Sequence, residues 1–278
     1  MGFRLVATDL DGTLLRLDGT VSDRTRRTLR RVRDAGVDVA LVSARAPQWL
    51  RPVAEDLDLD SGYAVCSNGA VVYDFGRGGA VLHYTLSSDV ATRIVQAIRR
   101  AAPGVAFACE RESQTLREPH YVPLWPTPGM DERMDALAFV NEPLSKLIVQ
   151  HPELSQDELH ALVSGICGEE ATATISGEVL VEISAAGVTK AYALAALCEE
   201  IGVDPAGVVA FGDMPNDIPM LEWAGQGIAV ANAHPDVIAV ADEITAACDA
   251  DGVAMALERL VLGEATSQTP SDQAKTRE

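Results

Sequence analysis

Short apolar runs alternate with amphipathic segments at the start of the chain. The run at residues 4–8 ends abruptly in acidic residues and glycine, and a second apolar run covers residues 37–42. Between them, Leu29 and Val32 lie on one stripe of a helix that Ser22 is suited to N-cap. Strands that alternate with helices in this way predict a parallel sheet covered on both faces.

The pattern changes after residue 84. A helix is predicted at 88–101, a strand at 147–149, a second helix at 156–166, and a hairpin at 171–183 that turns at Ser176-Gly177. Local pairing of this kind is typical of an α+β arrangement rather than of a parallel sheet. We therefore expect an inserted unit that interrupts the first one.

The alternating pattern resumes after Gly187. A helix is predicted with one apolar face, followed by a strand at 208–211 that again ends in glycine and acidic residues. The predicted apolar face of this helix consists of Ala191, Leu194, Ala195, Cys198 and Ile201.

The predicted fold class is α/β, with a doubly wound (Rossmann-like) parallel-sheet core and an inserted α+β cap domain. The core is expected at residues 1–84 and 186–263, and the cap at residues 85–185. Residues 264–278 are polar and charged, and we expect a disordered tail there.

Composition and charge narrow the possible functions. The 278 residues are 47% apolar and 23% charged, which is typical of a globular protein. The net charge of −19 disfavours nucleic acid and anionic membranes as partners and favours divalent cations. No apolar run is long enough for a membrane helix or a signal peptide, so a cytoplasmic protein is expected, and no protein partner is predicted. The five cysteines are scattered and form no Cys-x-x-Cys pair.

Two carboxylates follow the first predicted strand directly. Asp9 and Asp11 are two residues apart and precede Gly12, so both side chains are expected at the carboxyl edge of the sheet, where doubly wound sheets bind ligands. Adjacent carboxylates repel each other unless a cation lies between them. The alternative is a simple Asp-Gly turn or helix cap.

A second acidic segment follows the strand at 208–211. It contains Asp213, Asn216 and Asp217, which topology places at the same sheet edge. Oxygen ligands without histidine or cysteine suit Mg²⁺. Here too, the aspartates could instead cap the following helix.

Two further segments could bind phosphate. Ser43, Ala44 and Arg45 follow the strand at 37–42 and offer a hydroxyl, backbone N–H groups and a guanidinium at a strand-to-helix turn. Lys190 lies near the start of a predicted helix, where a cation opposes the helix dipole unless an anion is close. A solvated surface lysine is the alternative at that position.

These segments, in this order, resemble the motifs of the haloacid dehalogenase (HAD) superfamily, and most closely its Cof-type branch with an inserted α+β cap. The matching segments are Asp9-Leu10-Asp11-Gly12-Thr13-Leu14, Ser43-Ala44-Arg45, Ser67-Asn68-Gly69-Ala70, Gly187-Val188-Thr189-Lys190 and Gly212-Asp213-x-x-Asn216-Asp217. The resemblance extends over residues 3–262. It implies a Mg²⁺-dependent phosphatase that acts on a small phosphorylated metabolite through an aspartyl phosphate.

The resemblance also implies roles for individual residues. Asp9 would be the nucleophile and Asp11 the general acid and base, while Asp9, Asp11 through its backbone carbonyl, and Asp213 would hold the metal. Asp217 would bind the metal or orient its ligands. The phosphoryl group would be held by Ser43, Arg45, Lys190, Asn216 and the backbone N–H groups of Leu10 and Ala44.

One departure from the family concerns Ala44, which stands where the family usually has glycine. If the backbone there needs a positive φ, the turn is strained. In the cap, the loop at 118–128, with His120, Tyr121 and Trp125, is the expected substrate contact.

Two other functions remain open. A phosphotransferase or mutase would keep the same aspartates and return the phosphoryl group to a sugar hydroxyl. A catalytically silent protein would only bind a phosphorylated ligand.

Overall fold

The computed structural model describes residues 2–111, 114–123, 133–176 and 179–264. Their strands form two separate sheets. In chain order the strands are β1 Leu5–Thr8, β2 Asp38–Val42, β3 Tyr63–Cys66, β4 Val71–Asp74, β5 Gly79–His83, β6 Ala106–Arg111, β7 Gln114–Arg117, β8 Lys146–Gln150, β9 Ala171–Thr174, β10 Val181–Ala185, β11 Val208–Gly212, β12 Gln226–Val230 and β13 Glu243–Thr245.

Nine α-helices lie within the described residues. They are α1 Asp23–Asp34, α2 Pro47–Asp56, α3 Ser88–Ala101, α4 Ala136–Phe139, α5 Gln156–Cys167, α6 Lys190–Ile201, α7 Ile218–Trp223, α8 Pro235–Val240 and α9 Gly252–Leu260. The helix start predicted at Ser22 is confirmed, and the Ser22 hydroxyl accepts the Thr25 N–H at 3.0 Å.

The first sheet has eight strands in the order β13-β12-β11-β1-β2-β3-β4-β5. The six strands from β13 to β3 are parallel, with β1 between β11 and β2. Leu5, Val6 and Ala7 of β1 are fully buried because helices cover both faces of the sheet. The doubly wound core predicted from the sequence is confirmed.

The register of β1 and β11 decides where their loops lie. Thr8 pairs with Phe211, so both strands end at the same level. The Asp9 N–H then donates to the Phe211 carbonyl at 2.9 Å. The segments that begin with Asp9 and Asp213 are therefore neighbours, although about 200 residues separate them in the chain.

The second sheet is antiparallel, with five strands in the order β7-β6-β8-β10-β9. Helices α3 and α5 pack on one face, against alternate residues such as Phe107, Leu147 and Val181. The opposite face contains Ala106, Ala108 and Ile148, which pack together with Trp49 of α2. This face is turned toward the first sheet and the helices packed on it, which together we call the first unit. The second sheet and its helices are the second sheet's unit.

Some local predictions need correction. The β4–β5 hairpin was not predicted, and it adds two antiparallel strands to the edge of the first sheet. The buried face of α6 is also shifted from the predicted one, since Ala191, Ala195 and Ile201 are only partly buried. The residues that it buries are Lys190, Ala193, Leu194, Leu197 and Cys198.

The boundaries of the core and of the inserted cap at residues 85–185 stay a prediction, although the second sheet falls inside that range. The hairpin at 171–183 is confirmed as the β9–β10 pair, while Gly177 lies outside the described residues. Of the expected tail, residues 265–278 lie outside them as well. In the part of the chain that the structure describes, no helix is both long and apolar enough to cross a bilayer.

The helix cap at Ser22 gives a first test of the fold. Replacing Ser22 by Ala removes the bond to the Thr25 N–H, so we expect the free energy of unfolding to fall by about 1 kcal/mol in urea denaturation. Ser87 is the matched control, because it occupies the N-cap of α3 without a side-chain capping bond. An equal loss in Ser87→Ala would show that the Ser22 bond is not the cause.

Candidate active site

Three aspartates and one lysine meet at the carboxyl edge of the first sheet. Asp9 follows β1, Asp213 follows β11, and Asp217 lies one short turn further on. One carboxylate oxygen from each aspartate lies within 4.8 Å of the others. All three are buried, and Asp217 is fully enclosed.

Lys190 is the first residue of α6 and joins this cluster. Its Nζ lies 2.7 Å from Asp9 Oδ1 and 2.7 Å from Asp217 Oδ1. The side chain is 2% exposed, so the alternative of a solvated surface lysine is wrong. A lysine at a helix start is unfavourable unless an anion is close, and the carboxylates of Asp9 and Asp217 are the anions here.

Burial and repulsion shape the acid–base properties of the cluster. Burial raises the pKa of Asp9 well above its usual range against the opposing charge of Lys190, and Asp217 and Asp213 raise it further. Burial and the neighbouring Asp217 raise the pKa of Asp213 to about 6. Burial lowers the pKa of Lys190, but Asp217 and Asp9 outweigh it, so the net shift is upward and the ammonium is retained.

The charges in the cluster fit a divalent cation. Three carboxylates surround a single ammonium, so two negative charges would be uncompensated in a buried site if all three ionised. Mg²⁺ favours oxygen ligands of this kind, and its charge would balance the cluster. The donor set therefore fits the expected metal.

Gly12 permits the close approach of the first and last segments. Its φ is +82°, and a Cβ at this position would lie 2.6 Å from Asp213 Oδ2. The next residue, Thr13, donates its hydroxyl to Asp213 Oδ1 at 2.7 Å. Any side chain at position 12 would displace the Asp213 carboxylate.

Both carboxylate oxygens of Asp217 already accept hydrogen bonds from the protein. Its Oδ2 accepts the N–H groups of Asp213 and Met214, each at 3.1 Å, and its Oδ1 accepts Lys190. These bonds hold the Asp213 backbone and orient the lysine. Of the two roles open for Asp217, the contacts favour support of the cluster over direct binding of a metal.

Asp11 and Arg45 face each other at the rim of the site. The Arg45 guanidinium donates to both carboxylate oxygens of Asp11, at 2.8 and 2.5 Å. The Asp11 side chain is 56% exposed and lies outside the buried carboxylate cluster. Asp11 thus differs from Asp9 in both exposure and partner, as a division of roles requires.

The turn after β2 has an unstrained backbone at Ala44. The non-glycine residues with positive φ in the described ranges are Asp58, Ser67, Asn68 and Asp251, so the strain considered for Ala44 does not arise. Ser43 is buried, and its Oγ accepts the Arg45 N–H at 3.1 Å. Leu10 is also buried, and its carbonyl closes the loop around Asp11 by accepting the N–H groups of Thr13 and Leu15.

Asn216 lies beside the carboxylate cluster with one atom unsatisfied. Its Nδ2 donates to Asn68 Oδ1 at 3.1 Å. Its Oδ1 is buried and has no hydrogen-bond partner among the described residues. An unpaired buried acceptor is costly unless a ligand or water donates to it.

The loop expected to contact substrate is only partly described. Glu118 instead stabilises the second sheet's unit, because its carboxylate accepts hydrogen bonds from the Arg99 guanidinium and from the N–H groups of Phe107 and Ala136. Tyr121 is buried in the small cluster that contains Trp49. His120 is exposed, and Trp125 lies outside the described residues.

Sequence reasoning missed a group of polar residues between the two sheets. The sequence places Ser67 and Asn68 in a family motif without giving them a role, and it does not single out Glu110, Lys146 or Glu182, all of which are buried. A signal was present, because each of these three ions adjoins a run of buried residues in its strand: Glu110 near the end of β6, Lys146 at the start of β8 and Glu182 inside β10. Ions at such positions are either exposed or paired.

The carboxylates at the ends of parallel strands, beside a buried lysine, mark this chain as a doubly wound α/β protein with its ligand site at the carboxyl edge of the sheet. A family model described as haloacid dehalogenase-like hydrolase matches residues 6–257. The chain belongs to this family, which confirms the resemblance found in the sequence.

Individual relatives cover nearly the whole chain. It is 29% identical over 259 residues to the 5-amino-6-(5-phospho-D-ribitylamino)uracil phosphatase YcsE of Bacillus subtilis, covering 93% of this chain and 96% of the relative. It is 28% identical over 241 residues to the HMP-PP phosphatase of Enterobacter sp., covering 85% and 87%. A haloacid dehalogenase-like hydrolase from Bacteroides thetaiotaomicron has a similar solved structure, with a TM-score of 0.78, 27% identity, and coverage of 92% and 99%.

The burial of Asp213 and its repulsion by Asp217 predict an unusual effect on stability. Folding raises the pKa of Asp213, so the protonated form of this group favours the folded state. That contribution to stability is fully present below about pH 4 and is lost as the pH rises through about 6. We expect Asp213→Asn to stabilise the metal-free protein at pH 7 by about 1–3 kcal/mol in thermal denaturation. The gain should shrink toward pH 4, and Mg²⁺ should raise the Tm of the wild type but not of the variant. A variant less stable than the metal-free wild type at pH 7 would contradict this account.

Proposed function

We propose that this protein is a Mg²⁺-dependent phosphatase that hydrolyses phosphate monoesters of small metabolites through an aspartyl phosphate on Asp9. The observation that carries the proposal is the buried cluster of Asp9, Asp213, Asp217 and Lys190, with its excess of two negative charges. Such a cluster is expensive to bury and is explained by binding of a cation together with a phosphoryl group.

Asp9 and Asp213 are the residues we assign to the metal, with the backbone carbonyl of Asp11 as the expected third protein ligand. A bound Mg²⁺ would neutralise the carboxylates and stabilise negative charge on the phosphoryl oxygens. Lys190 donates to Oδ1 of Asp9, which would help a bound metal to keep this carboxylate ionised, and places a second positive charge next to the reacting group. Asp217 keeps this lysine in position.

The proposed reaction has two steps. In the first, a carboxylate oxygen of Asp9 bonds to phosphorus, the bond from phosphorus to the alcohol oxygen breaks, and protonated Asp11 gives its proton to the leaving oxygen. In the second, ionised Asp11 takes a proton from water, the water oxygen bonds to phosphorus, and Asp9 is released. Free phosphate and the alcohol are the products.

Arg45 controls when Asp11 is available. In this structure the guanidinium holds both Asp11 oxygens, so the carboxyl group cannot donate a proton until that pair opens. A phosphate group offers Arg45 a competing partner with more negative charge. We therefore place Arg45 on the substrate phosphoryl group. The other donors to it would be Ser43, the N–H groups of Leu10 and Ala44, and the second Nδ2 hydrogen of Asn216.

Support for small substrates comes from the relatives. The two phosphatases named above act, by their names, on a ribitylamino uracil phosphate and on HMP-PP. Both names describe small phosphorylated compounds, but not the same one. The motifs at the sheet edge therefore account for phosphate transfer, and the leaving group must be distinguished elsewhere in the chain.

Replacing Asp9 by Asn tests the nucleophile. We expect kcat for a generic aryl phosphate with Mg²⁺ to fall at least about 1,000-fold, because an amide oxygen does not attack phosphorus. Asp23→Asn is the control, since its side chain is 85% exposed on α1. Activity retained in Asp9→Asn would refute the mechanism.

The products separate this proposal from its alternatives. Free phosphate formed in equal amount with alcohol, in a screen of phosphorylated metabolites, supports a phosphatase. Isomerised sugar phosphate would indicate a mutase. Binding of phosphate without turnover of any substrate would indicate a silent binding protein.

Replacing Arg45 by Met tests its place on the phosphoryl group. We expect KM for the aryl phosphate to rise about tenfold, because a charge-assisted contact to the substrate is lost. Arg77→Met is the control, since Arg77 is 71% exposed on the β4–β5 turn. An unchanged KM in Arg45→Met would show that the guanidinium does not contact the substrate.

A further inference from the structure

Three ions from the second sheet are buried where that sheet faces the first unit. Lys146 of β8 lies 2.9 Å from Glu110 of β6 and 2.5 Å from Glu182 of β10. All three side chains are at most 5% exposed. They project from neighbouring strands on the face opposite to α3 and α5. We call Glu110, Lys146 and Glu182 the interface ions.

Each interface ion also binds a loop of the first unit. Lys146 Nζ donates to the Ala44 carbonyl at 2.6 Å. Ser67 Oγ donates to Glu110 at 2.6 Å, and Asn68 Nδ2 donates to Glu182 at 2.7 Å. The contacts reach the turn after β2 and the turn after β3, which are two of the segments at the sheet edge.

The turn after β3 connects the interface ions to the residues proposed to bind phosphate. Ser67 and Asn68 both have left-handed backbones, with φ of 51° and 56°. In this conformation their N–H groups donate to the carbonyls of Arg45 and Ser43, at 2.9 and 3.2 Å. Consecutive non-glycine residues keep such a conformation only where their surroundings impose it.

Asn68 forms the last link. Its amide joins Glu182 on one side and accepts Asn216 Nδ2 on the other. Asn216 Oδ1 remains buried and unpaired, beside the carboxylate cluster. A continuous set of hydrogen bonds thus runs from the interface ions to Asn216 and to the turn that carries Ser43 and Arg45.

Stability alone does not account for this arrangement. A buried ion pair is often no more stabilising than well-packed apolar residues of similar size, and here two glutamates share one lysine. What the ions provide is directional bonds to specific atoms in two separate loops. This points to a role in positioning.

We propose that Glu110, Lys146 and Glu182 are positioning residues that fix Ser43, Arg45 and Asn216 for phosphate binding, so that the second sheet's unit must be seated for the site to be complete. The inference rests on the proposed function for the identity of the ligand. It adds that phosphate affinity depends on residues that do not touch the phosphate.

The test compares three variants in the full-length protein. Lys146→Met removes the ammonium but keeps the length of the side chain. The neutral triple variant Lys146→Met/Glu110→Gln/Glu182→Gln also removes the two carboxylate charges, so no buried ion is left unpaired. Arg93→Met is the matched control, because the Arg93–Glu170 pair is more than half exposed at the cap surface. For each protein we would measure Tm, the affinity for inorganic phosphate with Mg²⁺ by calorimetry, and kcat and KM for an aryl phosphate.

We expect Lys146→Met to lower Tm and to weaken phosphate binding at least about tenfold, with KM rising in parallel. The triple variant should recover the Tm of the wild type while its phosphate affinity stays at least about tenfold weaker, because the Ala44 carbonyl still lacks its donor. Arg93→Met should match the wild type in all three measurements.

Two results would overturn the inference. One is wild-type phosphate affinity in the triple variant, which would reduce the ions to a structural role. The other is equal affinity in Lys146→Met and Arg93→Met. If Lys146→Met does not fold, the triple variant decides. A wild type that binds phosphate without hydrolysing any ester would refute the proposed function only, whereas a wild type that binds no phosphate would refute both.

Discussion

Repulsion between three buried carboxylates that share one ammonium is the constraint on which the rest of the site depends. Asp9, Asp213 and Asp217 would be ionised together only if further positive charge is available, and the parallel register of β1 and β11 leaves them no means of separating. Lys190 supplies part of that charge from the start of α6. Under the proposed function a divalent cation supplies the rest and brings the phosphoryl group to Asp9, so the site without its metal would be less stable than a neutral one.

Much of the fold could be predicted from the sequence because the buried strands are almost wholly apolar and end in glycine and acidic residues. The run at 4–8 and the strand at 208–211 are of this kind, and parallel topology then requires their loops to meet. The β4–β5 hairpin was missed because its strands are only half-buried and carry no strong alternation. The buried face of α6 was predicted wrongly because the helix is rich in alanine, which occurs both in cores and at surfaces.

The site itself could be predicted only in part. The sequence indicates Asp9, Lys190 and Asp213 as site residues because each lies in a short segment with a recognisable pattern. The pairing of Arg45 with Asp11 and of Lys190 with Asp217 depends on side-chain contacts between distant segments, which spacing does not reveal. The interface ions were missed for the same reason, since Lys146 finds both of its partners on other strands.

The most direct test of the account is the anomalous scattering of crystals grown or soaked with Mn²⁺ in place of Mg²⁺. The account predicts a single strong peak at bonding distance from one oxygen of Asp9 and one of Asp213, with Lys190 still on the other side of Asp9. A peak away from these two side chains, or no peak at Mn²⁺ concentrations that saturate activity, would contradict it.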